Sequence, residues 1–323
     1  MSRMMQKGLA LAALVLWTGC ASAQSWPAKP LTLIAGTPPA GAIDAYARTI
    51  AEHMSATFGQ QVLVEYKPGA NGNISAETVL RAPADGYTIW IGTQSMTEIN
   101  PSTFSELRWK FDDFAGVIKG VEAPLVLVAH PSVTARKLAD LGPWVKANPG
   151  KASYASFSPG TPSHFLGHQL AERLGVPMTH VPYKGSGPQM QDMVGGHVLL
   201  GFTQIQSAVP LLKSGKLFAL ATTGKARWRQ LPEVPTLDEL GYTELGATIW
   251  FGLFVRRGTP EPVLRTIVDA AGKAHGDPSV RAKLEGMGFD VPAQVDPEFS
   301  NGIRAAQARW ARIVKATGFK ASN

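Results

Sequence analysis

Residues 31–54, LTLIAGTPPAGAIDAYARTIAEHM, pass from one hydrophobic period to another across a single turn. Residues 31–36 form a short apolar run of the kind buried on both faces of a parallel sheet, and Pro38-Pro39-Ala40-Gly41 ends it. Beyond the turn, Ile43, Ala47, Ile50, Ala51, Met54 and Phe58 recur at spacings that place them along one side of a helix. A strand, a loop and a helix in this order are the repeating element of α/β proteins.

The alternation continues outward from this unit. Residues 62–66 read as a strand, Gly69-Ala70-Asn71-Gly72 as a turn, 74–80 as a helix and 87–93 as a third strand, which implies a parallel sheet with right-handed crossovers. After an irregular stretch the pattern restarts at 124–129. Strands over 152–157, 179–183, 198–203 and 217–222 are then separated by helices over 164–174, 188–194 and 208–214. Residues 225–247 are a Pro-containing connection, 249–255 a further strand, and the remainder is helical. In the last helix Phe299, Ile303, Ala306, Trp310 and Ile313 form an apolar stripe for core packing. The expected molecule has two α/β lobes joined by strands near Pro124 and Ile249, with 24–123 and 250–323 in lobe one and 124–249 in lobe two.

Composition agrees with two folded units. The chain has 323 residues, 45% of them hydrophobic and 17% charged, against roughly 100 to 200 residues per domain. Arg3 and Lys7 precede an apolar run over residues 8–18, and Ala21-Ser22-Ala23 supplies the small residues of a cleavage site, so 1–23 read as a secretory signal and the destination as the periplasm. Gly19-Cys20 offers an alternative lipoprotein site, although Trp17 stands where Leu is usual. Cys20 is the only cysteine, which removes disulfides, Cys-based zinc sites and iron-sulfur centres from consideration. The formal net charge is +7. No basic cluster with interleaved aromatics accompanies it, so nucleic acid is not an expected partner.

In open α/β sheets ligands sit beyond the carboxyl ends of the strands. Two loops there look like counterparts. Thr37, Pro38, Ala40, Gly41 and Ala42 lead into the first helix, and Ser158, Gly160, Thr161, Ser163 and His164 into a later one. Each helix start offers N–H groups and a positive dipole end to a carboxylate or phosphate. The hydroxyls of Thr37, Ser158, Thr161 and Ser163 either bind ligand or cap the helices. Asp44, in the first helical turn, either touches ligand or orients its loop. Gly185-Ser186-Gly187, after the strand ending at Tyr183 and with Lys184 the nearest cation, form either a third anion loop or a plain turn with a solvated Lys, and Thr93, Gln94, Ser95, Thr203 and Gln204 end strands on the cleft side. Phe157 hints at an apolar or aromatic ligand body.

The segments WPAKPLTLIAGTPPAGAIDAYAR (26–48), YKPGANGNISAETVLRAPADGYTIWIGT (66–93), HVPYKGSGPQMQDMVGGHVLLGF (180–202), LPEVPTLDELGY (231–242) and WFGLFVRRGTP (250–260) closely resemble landmarks of the Bug family, the periplasmic receptors of tripartite tricarboxylate transporters. The resemblance spans nearly the whole mature chain. It implies a type II periplasmic-binding-protein fold, with two parallel-sheet lobes, two crossing strands and closure of a cleft over a small organic anion. It further implies delivery to the membrane permease subunits, with a monomeric receptor and no cofactor. Family members bind di- and tricarboxylates, acidic amino acids or aromatic acids. The family loop usually reads Pro-Pro-Gly-Gly, whereas Ala40 replaces the first of those glycines here. The loop at 158–164 also carries Pro159 and Pro162 where Gly, Ser or Thr is commoner, and each Pro removes a donor.

Catalytic readings are weaker. The chain has no Gly-x-Ser-x-Gly elbow and no Walker loop, and Gly185-x-Gly187 lacks the third glycine of a dinucleotide fingerprint. His164 and His168 stand four apart on a helix, but Phe165 occupies the position of a zinc protease's Glu. The chain therefore reads as a binding protein rather than an enzyme. A ligand sensor for a membrane kinase and a secreted α/β hydrolase are the alternatives.

Overall fold

The computed structural model describes residues 26–39 and 41–321. The expected signal segment 1–23, with Cys20, and the loop residue Ala40 lie outside them. Leu31, Leu33 and Ala35 are buried together with Ile34, as a strand covered on both faces requires. They form β1 (Leu31–Ala35), which pairs in parallel with β2 (Val62–Tyr66) and β3 (Thr88–Thr93). The stripe of α1 (Ala42–Phe58) buries Ile43, Ala47, Ile50, Ala51 and Met54 as expected, and adds Tyr46. Gly59, at φ 64°, ends the helix in the left-handed conformation that glycine adopts without strain. Helix α2 (Asn73–Arg81) returns the chain to β3, and a π-helical turn (Ser95–Ile99) runs into α3 (Asn100–Thr103).

The last part of the stretch expected to be irregular, from Phe114, is strand. β4 runs over Phe114–Ala129, with almost every residue buried. Gly116 and Gly120 interrupt its apolar pattern, and both are packing requirements. A Cβ on Gly120 would collide with the Tyr46 hydroxyl and His275 Nε2, and one on Gly116 with Asp296. The first half of β4 pairs with β9 (Thr248–Arg256) and β10 (Gln294–Val295), and the second half with β7 (Leu200–Gln204) and β8 (Phe218–Thr222). One strand therefore belongs to both lobes.

In lobe two, α4 (Leu138–Ala147) precedes β5 (Ser153–Ser156), α5 (Pro162–Leu174), β6 (Thr179–Pro182), α6 (Ser186–Val194), β7, α7 (Ile205–Lys213) and β8. Helices α5, α6 and α7 begin two or three residues before their expected starts. β5 pairs in parallel with β6 and β7, while β4 runs antiparallel to β7 and β8, and β9 antiparallel to β3 and β4. Each lobe thus has a parallel centre flanked by antiparallel crossing strands, in the order β2-β1-β3-β9-β4-β7-β5-β6. The chain returns through residues 223–247, and Thr248 rejoins β4 opposite Pro124. α8 (Glu261–Gly276) and α9 (Pro278–Gly286) pack against α1, and α10 (Glu298–Thr317) packs on the π-helical turn, α3, β4 and α5.

Candidate ligand-binding cleft

The first wall is built around Gly36. A Cβ there would lie 2.5 Å from Met96 Cε, 2.7 Å from Ser75 Oγ and 3.1 Å from the Gly72 Cα, so the loop after β1 is pressed against the start of α2 and the π-helical turn. Thr37 is half-buried, Pro38 is exposed, and Ala42 is half-buried at the helix start. Gly41 precedes α1 without a side-chain cap, and a Cβ on it would enter open space. Asp44 is buried, and its carboxylate accepts from Arg48 Nε at 2.7 Å and from the Tyr66 hydroxyl. Tyr66 also accepts from Arg48 Nη2 at 2.8 Å. This arrangement ties the first turn of α1 to the end of β2 and places a negative charge in the first helical turn, where the dipole favours it.

Thr93 Oγ1 accepts from the Met96 N–H at 3.3 Å and caps the turn that Gln94 and Ser95 begin. Gln94 is buried, and its Oε1 has no partner among the described residues. It lines a cavity of about 200 Å³ with Glu98, Lys119, Trp250, Arg309 and Trp310. Glu98 accepts from Trp250 Nε1 at 2.9 Å and from Trp310 Nε1 at 3.0 Å, and burial pushes its carboxyl up to about 7. No motif singles out Glu98 in the sequence. It becomes visible only when β9 and α10 converge on it.

Asn71 was also legible only as a turn residue. It stands at φ 50°, and its Nδ2 donates to Asn100 Oδ1 at 2.8 Å. Asn100 Nδ2 in turn donates to the Asn71 carbonyl at 3.1 Å and to Asn73 Oδ1 at 2.7 Å. Three asparagines thus lock the Gly69-Ala70-Asn71-Gly72 turn in the left-handed geometry it needs.

The second wall spends its hydroxyl protons internally. Thr161 Oγ1 donates to the Ser158 carbonyl at 2.7 Å, so in its 2.9 Å contact with Ser163 Oγ it is the acceptor. Ser156 Oγ donates to the same carbonyl at 3.2 Å and therefore accepts from His180 Nε2 at 2.7 Å. The Gly160 N–H donates to His164 Nδ1 at 3.3 Å, which leaves the His164 proton on Nε2. Burial holds His164 down to about 3 and His180 down to about 4, so both rings are neutral near pH 7. Their rings stack at 3.9 Å, and Tyr154 continues the column at 5.1 Å from His180. His168 lies instead beside Glu172, with Nε2 and Oε1 3.4 Å apart. Among the described residues, no three His, Cys, Asp or Glu side chains are grouped to hold a metal.

The third loop is stitched to the second. The Tyr183 N–H donates to the Ser156 carbonyl at 3.0 Å and the Gly185 N–H to the Phe157 carbonyl at 2.7 Å. The Tyr183 hydroxyl donates to Asp192 Oδ2 at 2.8 Å, and burial leads in pushing that phenol up to about 12. Ser186 Oγ donates to Gln204 Oε1 at 3.2 Å, Lys184 is exposed, and a Cβ on Gly185 would meet open space. Thr203 is fully buried, and its hydroxyl has no partner among the described residues. The two walls meet at Gly160, φ 70°, where a Cβ would lie 3.8 Å from Asn71 Nδ2 and 3.2 Å from Phe319 Cε1. Neither Asn71 nor Phe319 was among the residues singled out from sequence.

The chain matches the family model described as tripartite tricarboxylate transporter family receptor over residues 46–319. It is similar to the protein BugT of Bordetella pertussis, at 32% identity over 93% of this chain and 92% of that one. Three solved structures superpose closely. The periplasmic binding protein BugD has TM-score 0.80 at 30% identity, covering 91% of this chain and 99% of that one. Rpa4515 of R. palustris, solved with adipate, has TM-score 0.83 at 30% identity, covering 92% and 99%. MatC of Rhodopseudomonas palustris, with bound malate, has TM-score 0.78 at 30% identity, covering 90% and 100%.

Proposed function

The chain belongs to the tripartite tricarboxylate transporter receptor family, and on that premise we propose that it captures a small carboxylate between its lobes in the periplasm and hands it to the permease subunits of a tripartite transporter. The observation that carries this reading is the meeting of the walls at Gly160 and Asn71, with helix starts on both sides. α1 and α5 each begin without a side-chain cap, so the first-turn N–H groups of α1 and the Ser163 N–H of α5 are available to oxygen atoms, while Pro162 has no N–H and the His164 N–H donates to the Thr161 carbonyl at 3.0 Å. The hydroxyls of Thr161 and Ser163 stiffen the loop, and the backbone supplies the donors.

A dicarboxylate suits two opposed donor sets better than a single charge does. Adipate and malate in Rpa4515 and MatC are of this class. Four to six hydrogen bonds to charged oxygens, each worth ~1.5 to 3 kcal/mol, offset the cost of ordering and closure and leave the ~8 kcal/mol of micromolar affinity. We take residues 24–123 with 250–323 as one lobe and 124–249 as the other, a monomer that closes about Pro124 and Thr248.

A thermal-shift panel of C4 to C6 dicarboxylates, tricarboxylates, acidic amino acids and aromatic acids tests this reading. A ligand of the receptor raises the melting temperature by mass action, increasingly with its free concentration relative to Kd, and calorimetry then confirms one site per chain. A panel in which no carboxylate shifts the melting temperature overturns the proposal.

A further inference from the structure

We propose that Phe319, in the tail beyond α10, is a positioning residue for the lobe-two anion loop and a clasp that holds the two lobes together without touching the ligand. The proposal rests on the receptor reading above.

Helix α10 is held to lobe one through Gln307 and Trp310 and to the last residues of lobe two through Arg309. Gln307 Nε2 donates to the Thr97 carbonyl at 2.7 Å, Trp310 Nε1 to Glu98 at 3.0 Å, and Arg309 Nη2 to the Glu244 and Gly246 carbonyls at 3.0 and 2.6 Å. Gly318, at φ 66°, then turns the chain out of the helix. The tail is pinned on both sides of Phe319, because the Phe319 N–H donates to Thr317 Oγ1 at 3.2 Å and the Ala321 N–H to the Thr103 carbonyl at 2.9 Å. Its backbone therefore stays with α3 of lobe one.

The ring of Phe319 belongs to lobe two. It packs edge-on against His164 at 4.8 Å and 79°, and against Phe165 at 5.8 Å and 77°. It thereby caps the column of Tyr154, His180 and His164, and it fixes the ring that accepts the Gly160 N–H. Phe165 also meets Trp310 at 6.0 Å, so the start of α5 is seated both on α10 and on the tail beyond it. Parting the lobes requires either the Phe319 ring to leave His164 or the tail to leave Thr103. A contact made only with the lobes together raises ligand affinity by favouring the closed population, and it acts mainly on dissociation.

The test compares the full chain with Phe319→Ala, Phe319→Leu and Phe319→Tyr, using malate and adipate as probes and stopped-flow fluorescence for the rates. Phe319→Ala is expected to raise koff roughly three- to tenfold, the size of an aromatic edge contact, with kon within twofold. Phe319→Tyr should restore the wild-type rate and Phe319→Leu should fall between. A ligand-free readout accompanies it: hydrogen exchange of the amides over 158–164 should accelerate in Phe319→Ala while the exchange of α1 is unchanged. Unchanged koff, or unchanged exchange at 158–164, overturns the clasp. A wild-type chain that binds neither probe counts against this dicarboxylate reading of the site, and the exchange comparison then decides the positioning role independently.

Discussion

Gly160 and Asn71 lie side by side where the loops before α5 and α2 meet, each in the left-handed region of backbone space, at φ 70° and φ 50°. A methyl group on Gly160 would stand 3.8 Å from Asn71 Nδ2 and 3.2 Å from the Phe319 ring. The substitution Gly160→Ala therefore both strains the loop, by about 1 kcal/mol, and crowds the surfaces that must meet. It is expected to weaken carboxylate binding roughly tenfold or more and to lower the melting temperature only modestly. Calorimetry and a thermal melt on the same preparation measure the two effects.

Asn100 is the support behind Asn71. Asn100→Ala removes two donated hydrogen bonds and one accepted bond within a buried cluster, which costs on the order of 1 to 3 kcal/mol when partners are left unsatisfied. The expected outcome is a lower urea midpoint, together with weaker ligand binding as the turn at Asn71 loses its left-handed geometry. Asn100→Asp keeps an acceptor for Asn71 Nδ2 and should bind ligand more tightly than the alanine variant.

Ser156 holds the Ser158 carbonyl from the floor of lobe two. Ser156→Ala releases that carbonyl from one of its two donors and strands the His180 Nε2–H. Ligand affinity is expected to fall several-fold with little change in the far-ultraviolet spectrum, and Ser156→Thr should rescue it in part. A titration series across the three proteins decides this.

The pH dependence of stability has two opposing contributions. His164, His180 and His275 have folded values of about 3, 4 and 4, all lowered mainly by burial from an ordinary 6.5. The unfolded chain binds their protons more readily, so the stability they contribute is full above pH 6.5 and is lost as pH falls toward 4. Glu98 works the other way: raised by burial to about 7 from 4.5, it contributes stability that is present below pH 4.5 and lost as pH rises to 7. Three histidines outweigh one carboxyl, and urea midpoints should rise from pH 5 to pH 7. In Glu98→Gln the rise should be steeper, because the opposing contribution is gone. An unchanged profile in that variant would show that Glu98 titrates outside this window.

Much of the fold was legible because it is local. Residues 31–58 encode their strand and helix in their own spacing. The strand over 114–123 escaped because Gly116 and Gly120 break its apolar run, and the reason for those glycines lies in Asp296, Tyr46 and His275, far along the chain. The loops at 37–44 and 158–164 were visible as strand-to-helix turns with polar residues, but which hydroxyl spends its proton on which carbonyl was not.

From its amino acids alone, this chain determined its α/β class, its family and the two loops that lead into uncapped helices, since turn residues and hydrophobic period act over a few positions. Tertiary structure decided the rest. Glu98 became a buried carboxyl only when Trp250 and Trp310 closed on it, and Gly160 met Asn71 and Phe319 only because β4 carries the chain from one lobe to the other. Contacts between distant segments follow from how whole layers pack, and no local pattern records them.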